Sequence, residues 1–224
     1  MKGCSISLRA HDGHEVTAYE ARPPGKARGG IVLLQEIFGV TAHIRRVCEI
    51  YAGEGYLTIA PALFDRIGKG RELGYSKEDA ATGRDLRSRI PWDQTYADVV
   101  AAIRFLSGAG KVASIGYCWG GTVSWCLAAQ HETIFASVCY YPTQITPFIS
   151  ITPRCPVLMH FGSADQGIPL DDVEAIRAAH PDLPIHVYEG AGHGFNCDMR
   201  ASYDPDAAAT ARQRTMAFLA EAIG

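Results

Sequence analysis

Short apolar runs recur along this chain, and most neighbouring pairs leave room for one helix between them. No other feature restricts the fold as strongly. The runs I-V-L-L at 31–34, 56–60 (ended by Pro61), 112–116, 135–140, 156–161 and 184–188 read as strands, and 42–53, 92–106, 119–130, 170–180 and 206–222 read as helices. Such alternation builds a mainly parallel sheet with helices on both faces. Two earlier runs, Ser5–Arg9 and Val16–Arg22, read as an opening hairpin turned by Asp12-Gly13. The expectation is therefore an α/β fold whose mostly parallel, twisted sheet has about seven to eight strands. Residues 65–90 are polar and punctuated by glycine, and read as a partly helical excursion over the sheet edge. Excursions of that kind often shape a pocket. No linker is visible in the 224 residues, so a single domain over 1–224 is expected.

Charge and composition narrow the function classes. The formal net charge is −3, with no Lys/Arg run, which argues against nucleic acid and against a membrane surface as partner. The longest apolar runs are too short to span a bilayer. The N-terminal stretch M-K-G-C-S-I-S-L lacks the long apolar segment of an export signal. Seven cysteines without a CxxC pair read as reduced thiols in a cytoplasmic protein. His193, Cys197 and Asp198 lie close in sequence, but no second ligand pair at zinc spacing accompanies them. Neither a metal nor another cofactor is expected.

The strand expected at 112–116 runs directly into Y-C-W-G-G, and a helical segment follows. G-x-C-x-G between strand and helix has the spacing of a nucleophile elbow. The turn puts its central residue at positive φ, and glycines two positions away on each side remove side chains that would clash. Gly116 and Gly120 hold those positions, and Gly121 relieves the site further. A thiol at a helix N-terminus lies near unsatisfied N–H groups, which lower a cysteine pKa from about 8.5 toward roughly 3.5–7.5. The alternative is a small core cysteine beside a glycine turn.

A thiol nucleophile needs a base, and the base needs an orienting acid. In elbow-bearing folds the chain order is nucleophile, acid, histidine. Asp165 follows the strand P-V-L-M-H-F, and His193 follows the strand I-H-V-Y-E, so both lie at strand ends in the required order. Among the other histidines, His160 lies in an apolar strand and reads as a satisfied core residue. His11 and His14 flank the hairpin turn and read as solvated.

These residues resemble the dienelactone hydrolase (carboxymethylenebutenolidase-like) family, a branch of the α/β-hydrolases. The matching motifs are Q-E-I-F-G at 35–39, G-Y-C-W-G-G at 116–121, the aspartate of G-S-A-D at 162–165 and A-G-H-G-F at 191–195. The similarity extends from the D-G-H turn at 12–14 to the final helix. It implies an α/β-hydrolase fold and a triad of Cys118, His193 and Asp165. It also implies that Glu36 pairs with the resting cysteine and helps to form the thiolate when substrate arrives. The alternative for Glu36 is a structural ion pair with an arginine. By the same resemblance, the backbone N–H groups of Ile37 and Trp119 are oxyanion donors. Phe38, Arg84 and Phe195 are candidate substrate contacts, with Arg87 an equal choice to Arg84. One departure stands out: the family holds a substrate carboxylate with two arginines, and the position of one of them is Cys197 here. A thiol does not replace bidentate arginine recognition.

The implied activity is hydrolysis of lactones or small carboxylic esters by a monomer, through an acyl-thioester. The alternative is a weakly catalytic or non-enzymatic member that uses Cys118 as a reactive sensor or binding thiol.

Overall fold

A computed structural model describes residues 2–224. The chain forms two units, Met1–Val112 and Ala113–Gly224.

The first unit opens on an antiparallel hairpin of β1 (Cys4–Arg9) and β2 (Glu15–Ala21). Its turn lies at Asp12-Gly13, as the sequence predicts. Gly13 takes φ 88°, and the His14 N–H donates to the Asp12 carboxylate at 3.2 Å. The unit adds β3 (Gly30–Leu34) and β4 (Leu57–Pro61), giving the strand order β1-β2-β4-β3. β2 pairs antiparallel with β4, and β3 pairs parallel with it. Every residue of β3 and β4 is buried, which is why β3 reads as an unbroken apolar run and β4 as one interrupted only by Thr58. Helices α1 (Ala42–Gly53) and α3 (Trp92–Leu106) both pack on β4. The polar excursion carries α2 (Lys77–Ser88), started by a capping box in which Ser76 and Asp79 satisfy each other's backbone N–H.

One sequence expectation is corrected in this unit. His11 is exposed, but His14 is not simply solvated: its Nδ1 lies 3.1 Å from Asp98 Oδ1. Asp98 is fully buried on α3 and also accepts a two-pronged contact from Arg66, at 2.9 and 2.6 Å. Arg66 reaches on to Asp12 at 2.6 Å. The hairpin turn is thus fastened by a polar cluster, built on the buried Arg66–Asp98 pair, whose members are far apart in sequence.

The second unit has the strand order β5-β6-β7-β8, with β5 (Val112–Tyr117) starting at its boundary. β6 (Ile134–Tyr140), β7 (Val157–Gly162) and β8 (Ile185–Tyr188) pair in parallel. Helix α4 (Trp119–Gln130) is buried along nearly its whole length and packs on β6. Buried helices are apolar on all sides. Of the two buried hydroxyl residues of α4, Thr122 and Ser124, Ser124 is satisfied by Ser114 Oγ at 2.7 Å, and Ser114 also meets Ser137 at 2.7 Å. Helices α5 (Leu170–Ala179) and α6 (Pro205–Ile223) complete the unit. His160 is the satisfied core histidine that the sequence predicts. Its ring nitrogens lie 2.8 Å from the Tyr188 hydroxyl and 3.0 Å from the Thr215 hydroxyl.

Candidate active site

Cys118 is the hinge between β5 and α4, with φ 54° and ψ −117°. Non-glycine residues adopt that conformation at an energetic cost, and it persists only where the surroundings impose it. Here the surroundings are specific. A Cβ on Gly116 would overlap the carbonyl oxygen of Gly120. One on Gly121 would press to 2.9 Å on the Tyr140 oxygen and 3.1 Å on Pro142 Cα. The Cys118 N–H donates to the Tyr140 carbonyl at 3.0 Å, and its own carbonyl accepts from Gly121 at 3.0 Å. The residue is 5% exposed, and Trp119 begins α4 beside it.

The loops after β7 and β8 supply an acid and an imidazole. Asp165 Oδ1 accepts from the N–H groups of Gly167 at 2.8 Å and Ile168 at 3.2 Å, which fixes the carboxylate. Its Oδ2 lies 2.7 Å from His193 Nδ1. The His193 side chain also hydrogen-bonds Cys118. The loops are stitched to each other as well. The N–H of Ala164 donates to the Ala191 carbonyl at 3.0 Å, and that of Gly190 donates to Ser163 Oγ at 2.8 Å. A Cβ on Gly162 would overlap the Ala191 carbonyl, so the close approach requires glycine there.

Burial opposes a charge on His193, yet the negative charge of Cys118, the hydrogen bonds to Asp165 and Cys118, and the charge of Asp165 together outweigh it. They lift the imidazole from 6.5 to about 10. The arrangement can hold a charged imidazole beside a sulfur at neutral pH.

Residues 140–144 line the same place, and sequence reading did not single them out. Tyr141 and Gln144 take positive φ, 37° and 57°. The Tyr141 ring meets His193 edge-on, with centroids 5.1 Å apart. The Thr143 N–H donates to the Cys118 carbonyl at 3.3 Å, its carbonyl accepts from the Thr122 hydroxyl, and its Oγ1 lies 3.7 Å from Cys118 Sγ. The available signal was position: Y-P-T-Q follows a strand at the same sheet end as the other two loops.

Phe195 is fully buried among Tyr141, Tyr188 and Tyr140. Cys197 is fully buried too. Arg200, three residues on, lays its guanidinium against Gly194, the residue after His193. The remaining predicted site residues belong to the first unit. Glu36 is buried immediately beyond β3, with Ile37 half-buried. Phe38 is 3% exposed and packs edge-on against Tyr75 at 4.8 Å. On α2, Arg84 is exposed and Arg87 half-buried, while Gly83 between α2 and the Ile37 carbonyl leaves no room for a Cβ.

The strand–elbow–helix unit and the acid and histidine loops at successive strand ends define an α/β-hydrolase. The crystal structure of a candidate dienelactone hydrolase from Klebsiella pneumoniae superposes with a TM-score of 0.87 at 32% identity, over 98% of each chain. P91, a dienelactone hydrolase-like promiscuous phosphotriesterase from metagenomic libraries, shares the fold at TM-score 0.80 and 19% identity, over 100% of both chains. The dienelactone hydrolase family model matches residues 16–223, and the chain belongs to that family. The carboxymethylenebutenolidase of Pseudomonas putida is 32% identical over 225 residues, covering 96% of this chain and 95% of its own. The protein is a hydrolase of the dienelactone hydrolase type.

Proposed function

We propose that this hydrolase opens lactones and small carboxylic esters, with Cys118 as nucleophile, His193 as proton carrier and Asp165 as the carboxylate that orients the imidazole. One observation carries the reading: His193 Nδ1 lies 2.7 Å from the Asp165 carboxylate, and Cys118 at the strained elbow is the second partner that raises the imidazole's pKa. His193 takes the thiol proton, and the Cys118 thiolate attacks the substrate carbonyl carbon. The N–H of Trp119, at the start of α4, faces the developing oxyanion. As the C–O bond breaks, the leaving alkoxide takes the proton of His193 and the acyl group remains as a thioester. Neutral His193 then takes a proton from water, the resulting hydroxide attacks the thioester, and the acid is released. The thiolate leaves beside a recharged imidazole, so the cycle closes.

The P. putida relative is named for a lactone that bears a carboxylate. This chain has a buried Cys197 where the family resemblance places an arginine. The reading is therefore a preference for neutral lactones and aryl esters over carboxylate-bearing ones. Cys118→Ala tests the function. Hydrolysis of p-nitrophenyl acetate and of a dienelactone falls by about 10³-fold or more. Full activity in that variant overturns the proposal. A sensor thiol would instead show one lasting modification per chain without repeated turnover.

A further inference from the structure

We propose that Thr143 is a positioning residue for the nucleophile, its hydroxyl donating a hydrogen bond to the Cys118 sulfur. The inference rests on Cys118 being the reactive thiol and goes beyond it by assigning a second donor to that sulfur. Three observations support it. The Oγ1–Sγ separation is 3.7 Å, within reach of a sulfur hydrogen bond. The threonine backbone is pinned on both sides, its N–H by the Cys118 carbonyl at 3.3 Å and its carbonyl by the Thr122 hydroxyl. The chain bends at positive φ on either side of it, at Tyr141 and Gln144. Strain of this kind in non-glycine residues concentrates where surrounding structure fixes a functional geometry.

The chemistry gives the hydroxyl a direction. A sulfur that attacks does so as the thiolate and can only accept, so in that state Thr143 Oγ1 donates. His193 must release its proton to the leaving group and cannot hold the sulfur at every stage. Thr143 has no proton to deliver and can stay on the sulfur while the thioester forms and breaks. Hydrogen bonds to charged groups are worth more than neutral ones, enough for about a tenfold change in rate when one is lost.

The test compares Thr143→Val, which keeps the branched shape and loses the hydroxyl, with Thr143→Ser, which keeps the hydroxyl. Iodoacetamide alkylation of Cys118, followed by mass spectrometry of its peptide, reports on the sulfur directly. The acylation burst with p-nitrophenyl acetate reports on attack. Thr143→Val is expected to slow both about tenfold with little change in KM, and Thr143→Ser to stay within about twofold of the parent. Wild-type alkylation in Thr143→Val overturns the inference, as does a Thr143→Ser variant that falls equally far. If the valine variant melts early, Thr143→Ala supplies the hydroxyl-free comparison. The two proposals fail separately. Hydrolysis surviving in Cys118→Ala overturns the function, whereas the alkylation contrast depends only on the sulfur and its hydroxyl neighbour.

Discussion

His193 shows what a thiol does to a familiar partner. Its ring is 22% exposed, and burial alone would discharge it, yet the sulfur and Asp165 hold its pKa at about 10. Because the folded value lies above the unfolded 6.5, the ion pair contributes stability that is fully present below about pH 6.5. That contribution is lost as pH rises through about 10. A ring NMR titration is expected to give a midpoint near 10 in the parent and lower midpoints in Cys118→Ser and Asp165→Asn. An unmoved midpoint in Cys118→Ser would show that the sulfur does not charge the ring. At this scale the sequence was informative where glycine or chain order marked a residue. The elbow geometry at Cys118 was legible from Gly116 and Gly120, and the placement of Asp165 and His193 from their strand ends. Thr143 was not, because a threonine in a loop has no signature until residues 140–144 fold over the elbow. Phe195, read by resemblance as a substrate contact, lies wholly within an aromatic cluster.

Among elements, the buried Arg66–Asp98 pair, which Asp12 and His14 join, carries the sharpest expectation. Asp98→Ala leaves the Arg66 guanidinium, 8% exposed, with Asp12 as its remaining carboxylate. Removing one partner of a buried pair costs about 3–5 kcal/mol. Urea unfolding should show a loss of that order, and a loss under about 1 kcal/mol would mean that water reaches Arg66 freely. The elements themselves were largely readable. Period-two and apolar runs placed the strands to within a residue or two, and α3 and α4 begin at Trp92 and Trp119 as expected. Long-range polar pairing was not readable. Nothing local in D-G-H announces that His14 meets an aspartate 84 positions away.

Across the whole molecule, none of the seven cysteines forms a disulfide, and burial separates all of them but Cys118 by accessibility. Desolvation pushes the thiols of Cys48 and Cys139 far above their usual range, Cys126 to about 12 and Cys155 to about 11. A disulfide-exchange reagent at neutral pH should therefore react promptly with exposed Cys4, slowly with half-buried Cys155, and not with Cys48, Cys126, Cys139 or Cys197; Cys118, 5% exposed, should react promptly as the proposed nucleophile. All seven should react in denaturant. Fast labelling of Cys126 or Cys139 in the native protein would contradict the burial described. Among the described residues, no helix is long and apolar enough to cross a membrane.

The stitching between the loops that carry Asp165 and His193 has a consequence for how such a protein changes over generations. Asp165 and His193 do not travel independently. A substitution at Gly162 or Ser163 displaces the imidazole loop as surely as the carboxylate loop, because Ala191 and Gly190 rest on them. Changes in the two loops will be epistatic, each tolerated or not according to the other. Libraries that vary both loops together will reach active sequences that single-position scans reject.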